Sequence, residues 1–309
     1  MYAPLVIFTY NRKKHTKNLI ESLKKCDLIH ETEVFIFSDG NKGEEDLNKV
    51  SDVREYLESL QGERWCKSLV VNKSPKNKGL AASIISGVSD IIDKYGRVIV
   101  LEDDLVVAEG FLKYMNQALD YYEHNEKIWS ISGFSSDIPM LNNSQDDVYF
   151  SCRARSWSWA TWKDRWDTVD WNVKEYKKFR FDLAKRKQFN RGGSDMSAML
   201  DRQQAGIINS WAIRWCFNQF LQDKYVVQPT MSLIVNKGQD GSGTNCSILR
   251  EENNITDSKN EWNFIPFKYN SEIDRELAKR KKVPFYKLLV SFILFVFLGV
   301  KKRKSSKAF

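Results

Sequence analysis

Short apolar runs alternate with longer amphipathic stretches over the first 134 residues. Runs of β-branched and aromatic residues predict five strands, at 4–10, 33–39, 68–73, 97–104 and 127–134. Helical spacing of apolar residues predicts helices at about 12–25, 79–95 and 109–123. Strands that are apolar throughout and joined by helices are typical of a parallel sheet covered on both faces. The pattern therefore predicts a doubly wound α/β fold.

The second half of the chain is less regular. It contains two predicted helices, at about 195–205 and 210–223, and a strand-like run that starts at Val226 and ends in a glycine-rich loop, NKGQDGSGTN. The expected organisation is a nucleotide-binding half, an acceptor half, a polar linker and a tail, at 1–135, 136–251, 252–278 and 279–309. The first two parts are expected to form one domain.

The tail combines an apolar stretch with basic clusters on both sides. Residues 285–300, FYKLLVSFILFVFLGV, contain a single charge and lie between KRKK at 279–282 and KKRK at 301–304. A helix of this length spans about 24 Å, less than the ~30 Å hydrocarbon core of a bilayer. Because both ends are basic, we expect a membrane-associating helix that lies in, or re-enters, the cytoplasmic face of the inner membrane. A thin span and a buried core helix are the alternatives.

The net charge of +8 belongs to this tail. Residues 277–309 contain ten Lys and Arg and no Asp or Glu, which leaves 38 basic and 40 acidic residues in 1–276. Because residues 1–276 are nearly neutral, the sequence does not predict a basic surface that binds a phosphate backbone. Nucleic acid is therefore not an expected partner. Five Cys without a CxxC pair, and no visible signal-peptide pattern, favour reduced thiols and a cytoplasmic body.

The most informative motif is VIVLEDDLVV, in which Glu102, Asp103 and Asp104 end an apolar strand. Removing three adjacent carboxylates from water is costly unless a cation or hydrogen-bond donors answer them. Mn²⁺ and Mg²⁺ prefer oxygen ligands and accept substrate phosphates in the same coordination shell. The motif therefore predicts a divalent-metal site. An acidic turn that caps the next helix is the alternative.

Asp39 ends another predicted strand, in FIFSDGN, where a carboxylate can accept hydrogen bonds from a nucleobase or a ribose. Taken alone, Asp-Gly is a turn signal. Neither GxGxxG after the first strand nor GxxxxGK[ST] occurs, which argues against dehydrogenases and P-loop NTPases. A sugar nucleotidyltransferase would be expected to carry a glycine-rich loop after the first strand, whereas the first glycine of this chain is Gly40.

Taken together, PLVIFTYNR, FIFSDG, NKGLAASIISGV and VIVLEDDLVVAEGFL resemble the GT-A glycosyltransferases of family 2. They are most similar to the branch of the N-acetylglucosaminyltransferase that initiates N-glycan branching, which has bacterial relatives in surface-polysaccharide synthesis. The resemblance covers residues 2–135 and, more loosely, 190–245. It implies a Rossmann-like sheet, Mn²⁺ or Mg²⁺, a UDP-linked sugar donor, a saccharide or lipid-linked acceptor, and inversion at the transferred sugar.

The resemblance also implies residue roles, with Asp104 as the direct metal ligand. Contacts to the donor are implied at strand ends and in the glycine-rich loop, for Thr9, Asn11, Arg12, Asp39, Asn77, Lys78, Gly79, Glu102, Asp103, Gly241, Ser242 and Gly243. Relatives often carry a His near the end of this loop, where this chain has Asn245. For the general base of an inverting transfer, Asp195 is the first candidate and Asp201 the second; either could instead cap a helix or lie exposed on one.

Aromatic and basic residues of the second half are candidates for the acceptor site. Trp211 and Arg214, in SWAIRW, share a helix face and could meet the acceptor, with core packing as the alternative. Five Trp at 157–171 are more typical of a core, although one or two rings could face a sugar. The functional alternatives are a sugar nucleotidyltransferase and a catalytically inactive membrane-bound scaffold of the same fold.

Overall fold

The computed structural model describes residues 1–142, 144–238, 259 and 261–280. The strands of these residues are β1 Leu5–Thr9, β2 Glu33–Ser38, β3 Ser68–Lys73, β4 Arg97–Glu102, β5 Leu105–Val107, β6 Ile128–Ser132, β7 Val148–Ser151, β8 Trp159–Trp162, β9 Tyr225–Pro229 and β10 Ile234–Asn236. The helices are α1 Lys13–Leu23, α2 Glu44–Ser59, α3 Leu80–Tyr95, α4 Phe111–Tyr122, α5 Lys163–Trp166, α6 Tyr176–Phe179, α7 Leu183–Phe189, α8 Met196–Gln204, α9 Trp211–Leu221 and α10 Ser271–Arg280.

Eight strands form one mixed, mostly parallel sheet in the order β3-β2-β1-β4-β8-β6-β9-β7. β7 and β8 run antiparallel to their neighbours, and the other six strands share one direction. The structure confirms the predicted α/β class and the five predicted strands of the first half. We call the edge at which the six parallel strands end the carboxyl rim, and the opposite edge the amino rim.

The core lies on both faces of the sheet because strand residues alternate between them. In β1, Leu5 and Ile7 pack with the α1 and α4 side, whereas Val6 and Phe8 pack with the α3 and α9 side. The second cluster includes Trp159, Trp166, Trp211 and Trp215, whose rings stack or tilt against one another. Most of the tryptophan-rich stretch therefore serves the core.

The sequence pattern did not predict α2, β5, β7 or β8. α2 has apolar residues at helical spacing, Val50, Val53 and Leu57, which are buried beneath the sheet edge. β8 lies between β4 and β6 and pairs antiparallel with both. The sequence places β6 next after β4 among the strands of the main sheet, so the insertion of β8 depends on contacts that a local pattern does not contain.

The structure differs from the predicted polar linker, 252–278, from residue 261 onward. Trp262 packs edge-on against Tyr114, with ring centroids 4.7 Å apart, and Tyr269 lies 4.8 Å from the ring of Tyr225. α10 buries Ile273 and Leu277 in a small cluster at the edge strand β7. The aromatic residues that make these contacts are scattered among polar residues. The average polarity of the segment therefore gave no sign that it packs on the core.

None of the described helices is long and apolar enough to cross a membrane. The predicted membrane-associating segment at 285–300 lies outside the described residues, as does the basic cluster at 301–304.

Candidate functional site

Three adjacent carboxylates and one guanidinium form an acidic corner on the carboxyl rim. Glu102 ends β4, and Asp103 and Asp104, which are 4% and 6% exposed, form the turn into β5. Arg12, which precedes α1, donates to Asp103 Oδ1 through a short ion pair and to Asp104 Oδ2 at 3.0 Å. A basic side chain from the loop after β1 thus forms ion pairs with two of the three carboxylates.

Burial and neighbouring charges shift the pKa values of the side chains in the corner. Burial, together with repulsion from Asp104 and Asp103, raises the pKa of Glu102 to about 8. Burial also raises the pKa of Asp103, and attraction to Arg12 opposes that rise. Burial alone would lower the pKa of Arg12, but the two aspartates hold it above its usual value.

The residues of this corner fit a divalent cation. Asp103 Oδ2 is buried without a hydrogen-bond partner, and so is the nearby hydroxyl of Thr9 at the end of β1. Within the described part of the chain, no group of three or more His, Cys, Asp or Glu is arranged to hold a metal. Mg²⁺ and Mn²⁺ need no such cage where one or two carboxylates, water and substrate phosphates supply the ligands. Asp103 and Asp104 are the residues that would hold the ion.

Asp39 organises a second part of the rim, at the end of β2. Its Oδ1 accepts N–H groups of Gly40 and Lys78, and its Oδ2 accepts the N–H of Gly79, all at 2.9 Å. Asn77 Nδ2 donates to the carbonyl oxygen of Gly40 at 2.8 Å. A carboxylate has about four acceptor positions, so one remains for a ligand. Asp39 and Asn77–Gly79, which were predicted to contact the sugar donor, therefore meet in one loop cluster.

Glycine is required at two positions of this loop cluster. A Cβ on Gly40 would lie 2.5 Å from the backbone carbonyl carbon of Lys76. Gly79 has φ of +75°, in the region that favours glycine, and directly precedes α3. The amino end of a 16-residue helix therefore points at the rim, where backbone N–H groups favour anions.

The acidic start of α2 holds the loop after β1. Asn11 Nδ2 donates to Asp46 Oδ1 at 2.8 Å, and the Tyr10 hydroxyl donates to Asp46 Oδ2 at 2.7 Å. Burial and this hydrogen bond raise the pKa of Tyr10 to about 12. The amide of Asn11, predicted to border the donor, is thus directed to α2. Asp46 was missed, although the acidic run at 44–46 is a helix-start signal.

β10 brings the start of the glycine-rich loop to the acidic corner. It pairs antiparallel with β5, and the N–H of Lys237 donates to the backbone oxygen of Asp104 at 2.8 Å. A Cβ on Gly238 would lie 2.2 Å from Asp104 Oδ2. Gly238 therefore lies directly against the predicted metal ligand. The predicted donor contacts Gly241, Ser242 and Gly243, and also Asn245, lie outside the described residues.

The two candidate bases lie in ion pairs. Arg153 donates to both oxygens of Asp195, at 2.7 and 2.9 Å, and Arg186 donates to both oxygens of Asp201, at 2.9 and 2.7 Å. The Tyr176 hydroxyl donates to Asp201 as well. Both oxygens of each carboxylate are bound to a guanidinium, so either residue would have to leave its ion pair to accept a proton from an acceptor hydroxyl.

The position of Asp195 separates it further from Asp104. Arg153 follows β7, whose last residue, Ser151, pairs with Val226 near the start of β9. Asp195 therefore lies toward the amino rim, whereas Asp104 lies on the carboxyl rim. A base at Asp195 would require the reacting groups to meet across the height of the sheet.

The acceptor candidates Trp211 and Arg214 are also engaged. Trp211 is buried with its ring 5.2 Å from that of Trp159, which corresponds to the core-packing alternative. Arg214 donates to the carbonyl oxygens of Ser210 and Trp171 at 3.2 and 3.3 Å. These contacts tie the start of α9 to the neighbouring loop.

Asp137 is an exposed acidic residue on the carboxyl rim that the sequence analysis missed. It follows β6, after the buried Ser135 and Ser136. β6 lies two strands from β4, so the two strand ends are about 10 Å apart at the usual spacing of neighbouring strands. A strand was predicted at 127–134, and the same rule that singled out Asp39 and Glu102 applies to the polar residues after it.

No protein-family model and no curated protein sequence matches the chain. Solved structures of S. aureus TarS are similar in part. TarS 1–349 matches with a TM-score of 0.44 and 14% identity over 78% of this chain and 62% of that one, and its complex with UDP gives 0.44 and 13% over 76% and 60%. The complex of TarS 1–349 with UDP-GlcNAc gives 0.35 and 17% over 46% and 39%. The chain thus covers less than two thirds of each TarS chain.

Proposed function

We propose that the chain is a metal-dependent glycosyltransferase of GT-A type. It would transfer a sugar from a UDP-linked donor to a saccharide or lipid-linked acceptor in bacterial surface-polysaccharide synthesis, at the cytoplasmic face of the inner membrane. The observation that supports this proposal is the assembly on one rim of the Asp39 loop cluster and of the acidic corner. In a nucleoside diphosphate, the polar base and ribose suit the Asp39 loop cluster. The charged diphosphate suits a metal ion bound at the acidic corner.

The residues of the rim would divide the work of binding the donor. Asp39 and the loop at 77–79 would hold the nucleoside, and the amino end of α3 would favour the phosphates. A metal held by Asp103 and Asp104 would supply neutralisation of the negative charge on the departing diphosphate. Arg12 keeps the two carboxylates close together and buried, so that they are already arranged when the donor arrives.

Substitution of Gly238 tests the contact between the glycine-rich loop and the corner. We expect Gly238→Ala to weaken Mn²⁺-dependent UDP binding by about tenfold or more, because a Cβ would occupy the space of the Asp104 carboxylate. Calorimetric titration measures the affinity. Gly62→Ala is the matched control, since a Cβ there meets nothing within 4 Å. Equal affinities for both variants would remove the loop from the site.

For the general base we propose Asp137, because it lies on the same rim of the sheet as the acidic corner, whereas Asp195 lies toward the opposite rim. We expect Asp137→Asn to lower the turnover number by about 10²-fold or more with little change in the Michaelis constant of the donor. Asp195→Asn should lower the free energy of unfolding, because it leaves Arg153 without its anionic partner, and should retain most of the turnover of the folded protein. A loss of turnover confined to Asp195→Asn would reverse the assignment.

Product identification after incubation with nucleotide sugars and Mn²⁺ tests the reaction class. Transfer to water would give UDP and free sugar, as a glycosyltransferase requires. A nucleotidyltransferase would instead release pyrophosphate in a parallel incubation with UTP and a sugar 1-phosphate. The absence of turnover in both incubations would favour the inactive scaffold. A panel of donors in this assay also identifies the sugar.

A further inference from the structure

The carboxyl rim carries exposed apolar side chains at the end of the sheet farthest from β3. Met231, in the loop after β9, is 53% exposed, and Met140, in the turn after β6, is 44% exposed. The two loops adjoin, because the N–H of Ser135 donates to Ser232 Oγ at 3.3 Å. Pro139 is exposed beside Met140. We call Pro139, Met140 and Met231 the rim patch.

α10 leads the chain from the amino rim toward the rim patch. Before this helix, Tyr269 lies against Tyr225 at the start of β9, and within it Asp274 accepts the N–H of Cys152, which follows β7. Both contacts are at the amino rim. Further along the helix, Leu277 packs in the cluster that contains Ile138, and Leu141 packs against this cluster. Ile138 and Leu141 lie on either side of Met140 in the sequence. The helix therefore rises along the edge strand and ends near the patch.

The sequence that follows α10 has the composition of a membrane-binding segment. The basic cluster KRKK at 279–282 starts in the last two residues of α10, and the apolar run at 285–300 follows it in the sequence. Lys279 is exposed at the end of α10. Basic and apolar side chains together are complementary to a bilayer that has anionic headgroups over an apolar interior. The last described residues of α10 thus lie at the edge of the molecule that exposes apolar side chains.

We infer that the rim patch docks on an anionic bilayer, so that the loops after β6 and β9 face the lipid. This inference rests on the proposed function for the membrane association of 279–304. Asp137 and Asp146 flank the patch, so the patch enters only to headgroup depth, where carboxylates remain in water. In this orientation a lipid-linked acceptor reaches Asp137 without leaving the membrane surface.

Hydrogen–deuterium exchange of the full chain tests the docked face directly. The protein is compared alone and bound to phosphatidylcholine vesicles that contain phosphatidylglycerol. We expect slower exchange at 138–142 and 229–233 on binding, and no change at 181–187, where Leu183 is 79% exposed on another surface. Vesicle binding without protection at 138–142 and 229–233 would overturn the inference, as would the absence of any binding.

Paired variants keep the test independent of folding and of the reaction. We expect Met140→Asp with Met231→Asp to lower the vesicle partition coefficient at least about tenfold, and Phe181→Asp with Leu183→Asp to leave it unchanged. Donor hydrolysis without vesicles should stay at the wild-type rate in both. Equal partitioning of the two double variants would overturn the docking surface. Failure of the wild type to hydrolyse any donor would instead count against the proposed function alone.

Discussion

Replacing Asp104 by alanine should abolish Mn²⁺-dependent binding of UDP and leave the fold intact. Asp104 is the implied metal ligand, and both Arg12 and the start of the glycine-rich loop meet it. Loss of a direct ligand to the ion is expected to cost about 3 kcal/mol, a factor of more than about a hundred in affinity. Arg12 keeps its ion pair with Asp103, so the corner retains a buried ion pair.

Calorimetric titration of UDP with and without Mn²⁺ measures this effect, and circular dichroism reports on the fold. Asp52→Ala, on the exposed face of α2, is the matched loss of one carboxylate. An Asp104→Ala protein that binds UDP with Mn²⁺ as tightly as the Asp52→Ala protein would show that the metal lies elsewhere.

Replacing Arg12 by glutamine should give the largest loss of stability at the site. The change leaves Asp103 and Asp104 buried without their cation, which typically costs about 3–5 kcal/mol. Added Mn²⁺ should restore part of this loss, because it binds the folded state and supplies the missing positive charge. The wild type should gain less stability from Mn²⁺, because Arg12 already supplies a positive charge to the two carboxylates.

Denaturant unfolding in the presence of chelator, and then of Mn²⁺, measures both effects. Arg275→Gln removes an exposed arginine that pairs with Glu272 and should change the free energy of unfolding by about 1 kcal/mol or less. In the triple variant with Asp103→Asn and Asp104→Asn, the loss from Arg12→Gln should shrink, because fewer buried charges remain unpaired. A loss that persists undiminished in the triple variant would show that Arg12 acts through packing alone.

The five strands of the first half and the position of the rim could be predicted from the sequence, because both depend on local signals. Apolar runs fix the strands, and the polar residues that follow each run mark the end at which parallel strands meet. Asp39 and the loop at 77–79 were expected at this rim, and their hydrogen bonds lie there.

Partners that are distant in sequence could not be predicted. Arg12 lies 91 residues from Asp103, and Arg153 lies 42 residues from Asp195. The EDD motif indicates that a cation is needed but does not identify Arg12 as one that answers it. Likewise, Asp195 was a candidate base only while its arginine was unknown, and β8 entered the sheet through pairing that no local pattern encodes.

A crystal structure with Mn²⁺ and UDP tests the central claim most directly. The account predicts an anomalous manganese peak at the carboxylates of Asp103 and Asp104, shared with the diphosphate, and the uridine beside Asp39. Manganese or nucleotide bound away from the carboxyl rim, with Arg12 still closing an acidic corner that holds no ion, would contradict it.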